Sequence, residues 1–300
     1  MPASPRARWT LLVLAATCCF GTLGTFSRLF FDAGGDAYTL LVARFLVVST
    51  LLGVAALLLG QWWTARGAVA PTLVLGGFQL GVAYALLEGF ARAPVALVSL
   101  LFFSYPLLTA VGAVPVFGER LDRLRLAVIA VAVAGIVLTV GVPEAGTWLG
   151  IVLGLVAAVC VAFLILGSRL LMGRTELAPV ALCSLMFASP ALVLLLVWPL
   201  RSPGFGSLSG EAWAWLACGV LISATVPLAV FYTGVTRIEA GAAGLLSCCE
   251  PLVSVVLATV VLGETLGPTR IAGGLLIVVA VTAVALAGAR PRPLANAADA

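Results

Sequence analysis

Glu250 lies inside an otherwise apolar stretch, between Cys249 and Pro251. An isolated charge is costly in such surroundings, so its carboxyl must hold a proton, bind a cation or pair with an arginine. Amine binding and proton exchange are the chemistries open to it, and a structural hydrogen bond across a helix bundle is the alternative. Pro251 has no N–H to give and interrupts the local helix, where ligands often bind. Arg44 and Arg28 also fall within apolar stretches and could take a carboxylate or phosphate. They could equally pair with Asp32, Asp36 or Glu88, or snorkel to a surface. Glu88 and Arg92 are four residues apart on one helical face, the spacing of a local ion pair, and Glu88 is also a cavity candidate. Tyr84, Tyr105, Tyr232, Gln79 and Ser104 supply the neutral polar groups a metabolite cavity needs. Interhelical packing accounts for each of these taken singly.

Other chemistry is excluded by composition. All 16 basic residues are Arg, and there is neither Lys nor His. That removes a histidine relay, a histidine metal site and a lysine nucleophile. The seven Cys lie almost wholly in apolar runs, as buried thiols do. Adjacent Cys248 and Cys249 point in different directions on a helix, and no second pair supports them, so no metal site is expected. A glycine-rich phosphate loop is absent, and no cofactor is expected. No nucleophile and base fall at one depth, which argues against an enzyme. The basic balance does not indicate nucleic acid, because the Arg residues sit in short joints between apolar runs.

The elements that position these groups follow from hydropathy. The chain is 63% hydrophobic and 9% charged, with a mean hydropathy of +1.22. A soluble domain carries about a quarter charged residues. The expected fold class is all-α, a polytopic membrane protein with ten spans. They run approximately over 9–31, 38–60, 69–88, 94–117, 124–141, 148–171, 177–199, 212–235, 240–262 and 270–289. With a cytoplasmic N-terminus, eleven Arg fall in inside joints and three, Arg92, Arg201 and Arg270, in outside joints. Both termini are therefore expected in the cytoplasm. Arg6 and Arg8 before an apolar run resemble a signal peptide, but apolar character continues to Phe31, so an uncleaved first helix is expected. Residues 290–300 read as a disordered cytoplasmic tail.

The halves match at an offset of 145 residues. Gly89 and Arg92 match Gly234 and Arg237, Pro106 matches Pro251, and Gly118-Glu119 matches Gly263-Glu264. Leu121 and Arg125 then match Leu266 and Arg270. Five spans per half is an odd number, so the second half enters the membrane in the opposite sense. Residues 1–143 and 144–289 are expected to be two inverted five-helix repeats. Glu119 and Glu264 meet the ends of spans, which points to helix termination and contact with Arg120, Arg123 or Arg270. Tyr105 takes the place of Glu250 in the first half.

Pro106 with Gly-Glu-Arg-Leu at 118–121, the counterpart at 251–266 and the ten-span layout resemble the EamA family of the drug/metabolite transporter superfamily. The resemblance covers about residues 9–289. It implies a bacterial inner (cell) membrane and export or exchange of small metabolites, often amino acids, and in other branches drugs, sugars or nucleotide sugars. Span 1 departs from the family pattern, with Cys-Phe-Gly-Thr at 19–22 where a Trp-Gly pair is common. The resulting expectation is a secondary transporter in a lipid bilayer, monomer or homodimer, with proton coupling as one option. A nucleotide-sugar or phosphorylated-metabolite exchanger is the rival within transport. A non-transporting membrane assembly or lipid-flipping protein is the rival outside it.

Overall fold

A backbone in hydrocarbon must satisfy its own N–H and C=O groups, and helices do so within one segment. The computed structural model describes residues 5–61, 68–118, 123–141, 146–172, 178–235, 237–238 and 246–288, and its elements there are helical. In order they are α1 (Pro5–Gly21), α2 (Leu23–Asp32), α3 (Ala37–Leu58), α4 (Val69–Arg92), α5 (Val95–Phe102), α6 (Tyr105–Phe117) and α7 (Arg123–Val140). They continue with α8 (Trp148–Met172), α9 (Pro179–Val197), α10 (Gly210–Ala217), a π-helical stretch (Cys218–Thr225), α11 (Val226–Val235), α12 (Cys249–Val260) and α13 (Pro268–Gly288). Seven described spans are long and apolar enough to cross a membrane, and Leu126–Val140, Cys249–Val260 and Pro268–Ala283 are shorter apolar helices. Together they follow the order of the ten expected spans.

Four of those spans are interrupted where the sequence reading drew continuous helices. Thr22 separates α1 from α2, Phe103 and Ser104 separate α5 from α6, and Cys248 precedes α12. Pro106 and Pro251 explain two of the breaks. Each ring lacks an N–H and crowds the carbonyl four residues back, so the helix restarts with the proline in its first turn. The fourth interruption is the π-helical stretch, which ends just ahead of Pro227.

The helices pair side by side: α4 on α8, α3 on α9, α7 on α13, α5 on α12, and α1 and α2 on α11 and α10. The largest core forms around Phe30, Phe45, Leu40 and Leu87. Leu58, Leu196 and Val260 face outward and are mostly exposed, a surface suited to acyl chains and not to water. Three buried hydroxyls are satisfied locally: Ser27, Thr72 and Ser223 donate to the carbonyls of Leu23, Ala68 and Gly219 at 2.7, 2.6 and 2.7 Å.

The two ends of the bundle differ. At one end Asp36 caps α3, accepting from the backbone N–H of Tyr38 at 2.9 Å and Thr39 at 3.1 Å. Arg201 reaches Asp36 at 3.9 Å, stacks over the Tyr38 ring, and Gly204 N–H donates to Thr39 Oγ1 at 2.8 Å. The longest joint is thereby tied to the start of α3. Glu264 lies at this same end. At the other end Gly118 stops α6 in the left-handed conformation, at φ +67°. At the Glu264 end, Gly263 lies in the turn that follows α12 and takes the same left-handed conformation at φ +68°, which costs a side chain with Cβ far more than it costs glycine.

Candidate functional site

Two helix breaks face each other in the middle of the bundle. Tyr105 opens α6, and Glu250 lies in the first turn of α12. The positive end of a helix dipole favours an acidic group at that place. Both side chains border a cavity of 240 Å³, together with Arg44, Gln79, Ser223 and Ser247. Phe20, Phe102 and Phe231 supply its aromatic walls. Its lining runs from the middle of the bundle toward the Gly118 end, through Leu164 and Ile165 of α8 and Leu228 of α11.

Arg44 is buried on α3, and its Nε and Nη1 have no hydrogen-bond partner among the described residues. Buried charged donors left unmade are expensive, and a planar guanidinium presents them as a fork that fits a carboxylate. Arg44 and Glu250 therefore offer one site for an anionic group and one for a cationic group within a single cavity. Gln79 is buried on α4 and adds a neutral donor and acceptor. The Tyr105 ring is held by Phe102 and Phe103, with centroids 5.3 and 5.5 Å away. Ser223 enters from the π-helical stretch, a local widening of the helix that often marks functional positions.

Beside this cavity, toward the Glu264 end, lies a second space of 30 Å³ that Glu250 also borders. Ser99 of α5 and Ser254 of α12 border it too, their hydroxyl oxygens 2.7 Å apart.

Other sequence candidates lie away from the cavity. Arg28 Nε is 3.6 Å from Asp32 Oδ1, and its Nη1 donates to the Phe90 carbonyl at 3.0 Å. Glu88 pairs with Arg92, which also donates to the Glu88 carbonyl at 3.1 Å. Both arginines thus find carboxylate and carbonyl oxygens near a bundle end. Tyr84 is 49% exposed on the outer surface of α4. Ser104 donates to the Leu101 carbonyl at 2.7 Å. Glu264 accepts from the backbone N–H of Val95 at 2.6 Å and of Ala96 at 3.0 Å. It caps α5, whose N-cap Pro94 has no side chain able to do so, a backbone role at a helix start across the bundle. The side chain of Tyr232 and the whole of Glu119 lie outside the described residues. Among the described residues, no three His, Cys, Asp or Glu side chains converge as metal ligands.

The sequence profile of the EamA-like transporter family matches residues 7–141 and, a second time, residues 148–286. The chain belongs to this family. Its members are small-molecule transporters and not enzymes, and this chain is a multi-pass membrane protein. It is 28% identical over 189 residues to Uncharacterized transporter sll1319 of Synechocystis sp.. That match covers 61% of this chain and 56% of the relative, so the chain spans little more than half of the relative's length. A crystal structure of another protein resembles it with a TM-score of 0.67 at 20% identity, covering 95% of this chain and 99% of the other, a likeness of fold.

Four sequence candidates, Glu250, Arg44, Gln79 and Tyr105, share the cavity. Sequence reasoning did not select Ser223, Ser247 or the three phenylalanines. The π-helical stretch has no plain sequence signal beyond Pro227, and apolar aromatic residues are common throughout the chain.

Proposed function

We propose that this EamA-like protein is a secondary transporter that exports or exchanges a small zwitterion, an amino acid or a molecule like it. The observation that carries this reading is the shared cavity, where Arg44 presents two unpartnered donors and Glu250 a carboxyl. Arg44 takes the carboxylate of the guest, Glu250 takes its ammonium group or a proton, and the phenylalanines receive an apolar side chain. A volume of 240 Å³ lies below the ~300–1,000 Å³ typical of drug-sized ligands, which favours a small guest. A nucleotide sugar would need more room and more than one bordering arginine. A lipid-flipping role would need a polar lateral path. The 360 Å³ groove along α3 and α10 is lined instead by residues such as Leu46, Phe205, Val220 and Leu221, with no charged group.

Movement proceeds by alternating access between two inverted five-helix repeats, 1–143 and 144–289. Two features support this: the doubled family match, and pairings that interchange under the 145-residue offset, since α4 on α8 becomes α10–α11 on α1–α2. The Arg distribution supports cytoplasmic termini in a bacterial inner membrane, with the Glu264 end outside and the Gly118 end inside. The cavity then reaches toward the cytoplasm, while the ties at Arg28, Arg201 and Glu264 close the outer end.

The test is uptake and counterflow in proteoliposomes over amino acids, sugars, polyamines and cationic drugs, with and without a pH gradient. Zwitterions are expected to exchange, with affinity lowered by Arg44→Gln. Uptake confined to sugars or polyamines, or unaltered by that substitution, refutes the reading.

A further inference from the structure

Glu250 borders two spaces, and the smaller has its own chemistry. It lies among α1, α2, α4, α5 and α12, with a volume of 30 Å³. About 10–15 Å³ is enough for one water molecule, provided the site offers two to four polar partners. Glu250, Ser99 and Ser254 supply those partners, and the remaining lining is largely apolar, including Phe20 and Phe102.

The serine pair has a hydrogen left over. Ser99 and Ser254 are both buried, and their oxygens are 2.7 Å apart, so one hydroxyl donates to the other. A hydroxyl carries one hydrogen, so the accepting serine still has its own to give. Ser27, Ser104 and Ser223 return theirs to carbonyls of their own helices. In the pair, the remaining hydrogen needs an acceptor inside the space that both serines border. Glu250 is the carboxyl-bearing residue among those that line it, and Ser254 follows it by one turn on the same face of α12.

We propose that this space holds a single bridging water that links the Ser99–Ser254 pair to the Glu250 carboxyl, forming the site that loads the coupling proton. The proposal rests on the reading of the chain as an alternating-access transporter. A proton arriving from the outer end is taken by the hydroxyl pair, which passes its own to the water. The water in turn protonates the carboxylate, so every O–H bond broken is matched by one formed. Release is into the larger cavity, which Glu250 also borders. Among the described residues, the other titratable groups lining either space are Arg44 of α3 and Tyr105 of α6; the linings contributed by α1, α2, α4, α5, α8, α11 and the π-helical stretch include none. Arg44 and Glu250 interact electrostatically, so a carboxylate bound at Arg44 alters the field at the proton site.

Infrared difference spectra between acidic and alkaline buffers test this on the full chain in liposomes. The wild type is compared with Glu250→Gln and with the double variant Ser99→Ala/Ser254→Ala. Removing both hydroxyls leaves neither serine facing an unmade partner across the α5–α12 contact, so the double variant is expected to fold. A titrating carboxyl band should vanish in Glu250→Gln. It should shift to higher frequency in the double variant, because the carboxyl has lost a donor. In the wild type, exchange into heavy-oxygen water should shift a bound-water O–H band in the same spectrum, a readout independent of any variant. A Glu250 band that does not titrate, that keeps its wild-type position in the double variant, or that has no accompanying water band overturns the proposal. The transport reading fails by a different result, namely no protein-dependent uptake of any probe in the proteoliposome screen.

Discussion

The α5–α6 break and the α12 start use one backbone device for unlike ends. In both, a helix restarts in the middle of the bundle with a proline in its first turn; α6 is stopped by the left-handed Gly118, and Gly263 takes that conformation in the turn after α12. The residue just before the proline differs: Tyr105 in one, Glu250 in the other. A tyrosine held between Phe102 and Phe103 shapes the cavity and gives a neutral hydroxyl. A glutamate at the matching place can exchange a proton or hold an ammonium group. The scaffold can therefore be duplicated while the chemistry stays on one side, because a proline sets the break whatever residue precedes it.

The comparison breaks most directly at Glu250. Glu250→Gln keeps the shape and removes the ionisable group, and transport in proteoliposomes is expected to fall about a hundredfold, roughly 3 kcal/mol, the scale of losing one buried charged partner. An equal loss in Tyr105→Phe would erase the distinction between the two breaks. Arg44→Lys comes next. It keeps the charge but loses the fork, and affinity in a counterflow titration should weaken by about 2 kcal/mol.

Glu264→Ala sharpens the comparison from the backbone side. It leaves the first N–H groups of α5 uncapped, and thermal or denaturant unfolding should register a loss of about 1–2 kcal/mol. An unchanged stability would mean that the cap contributes nothing to holding the two broken spans together. Tyr105→Phe should weaken affinity by about 1 kcal/mol, the scale of one neutral hydrogen bond. Tyr84→Phe should stay within about 0.5 kcal/mol in both transport and stability, as expected for a surface position.

Why some site residues could be read in advance and others not is a matter of depth against rotation. Glu250 and Pro251 could be placed near the middle of a span by counting residues, and a carboxyl at that depth demands a partner. Pro251 likewise signals an interrupted helix, and Pro106 matches it in the first half. Arg28, Glu88 and Tyr84 were placed at sensible depths along their helices, yet they turn away from the cavity. Ser223 and Ser247 gave no signal, because a serine reads the same whether it lines a cavity or donates to its own helix.

Composition, arginine placement and the 145-residue offset are properties of the chain, and they were enough to determine a helical membrane protein, its order of spans and the matching of its halves. Each follows from local physics: the cost of charge in hydrocarbon, the length a helix needs, and the behaviour of proline. The direction each side chain faces was decided by packing. In water an amphipathic stripe tells which side of a helix is buried, but here lipid and protein interior are both apolar and the stripe is missing. Only the assembled helices could therefore bring Arg44, Gln79, Tyr105 and Glu250 around one cavity, set Ser99 against Ser254, and send Glu264 to cap a helix far away in sequence.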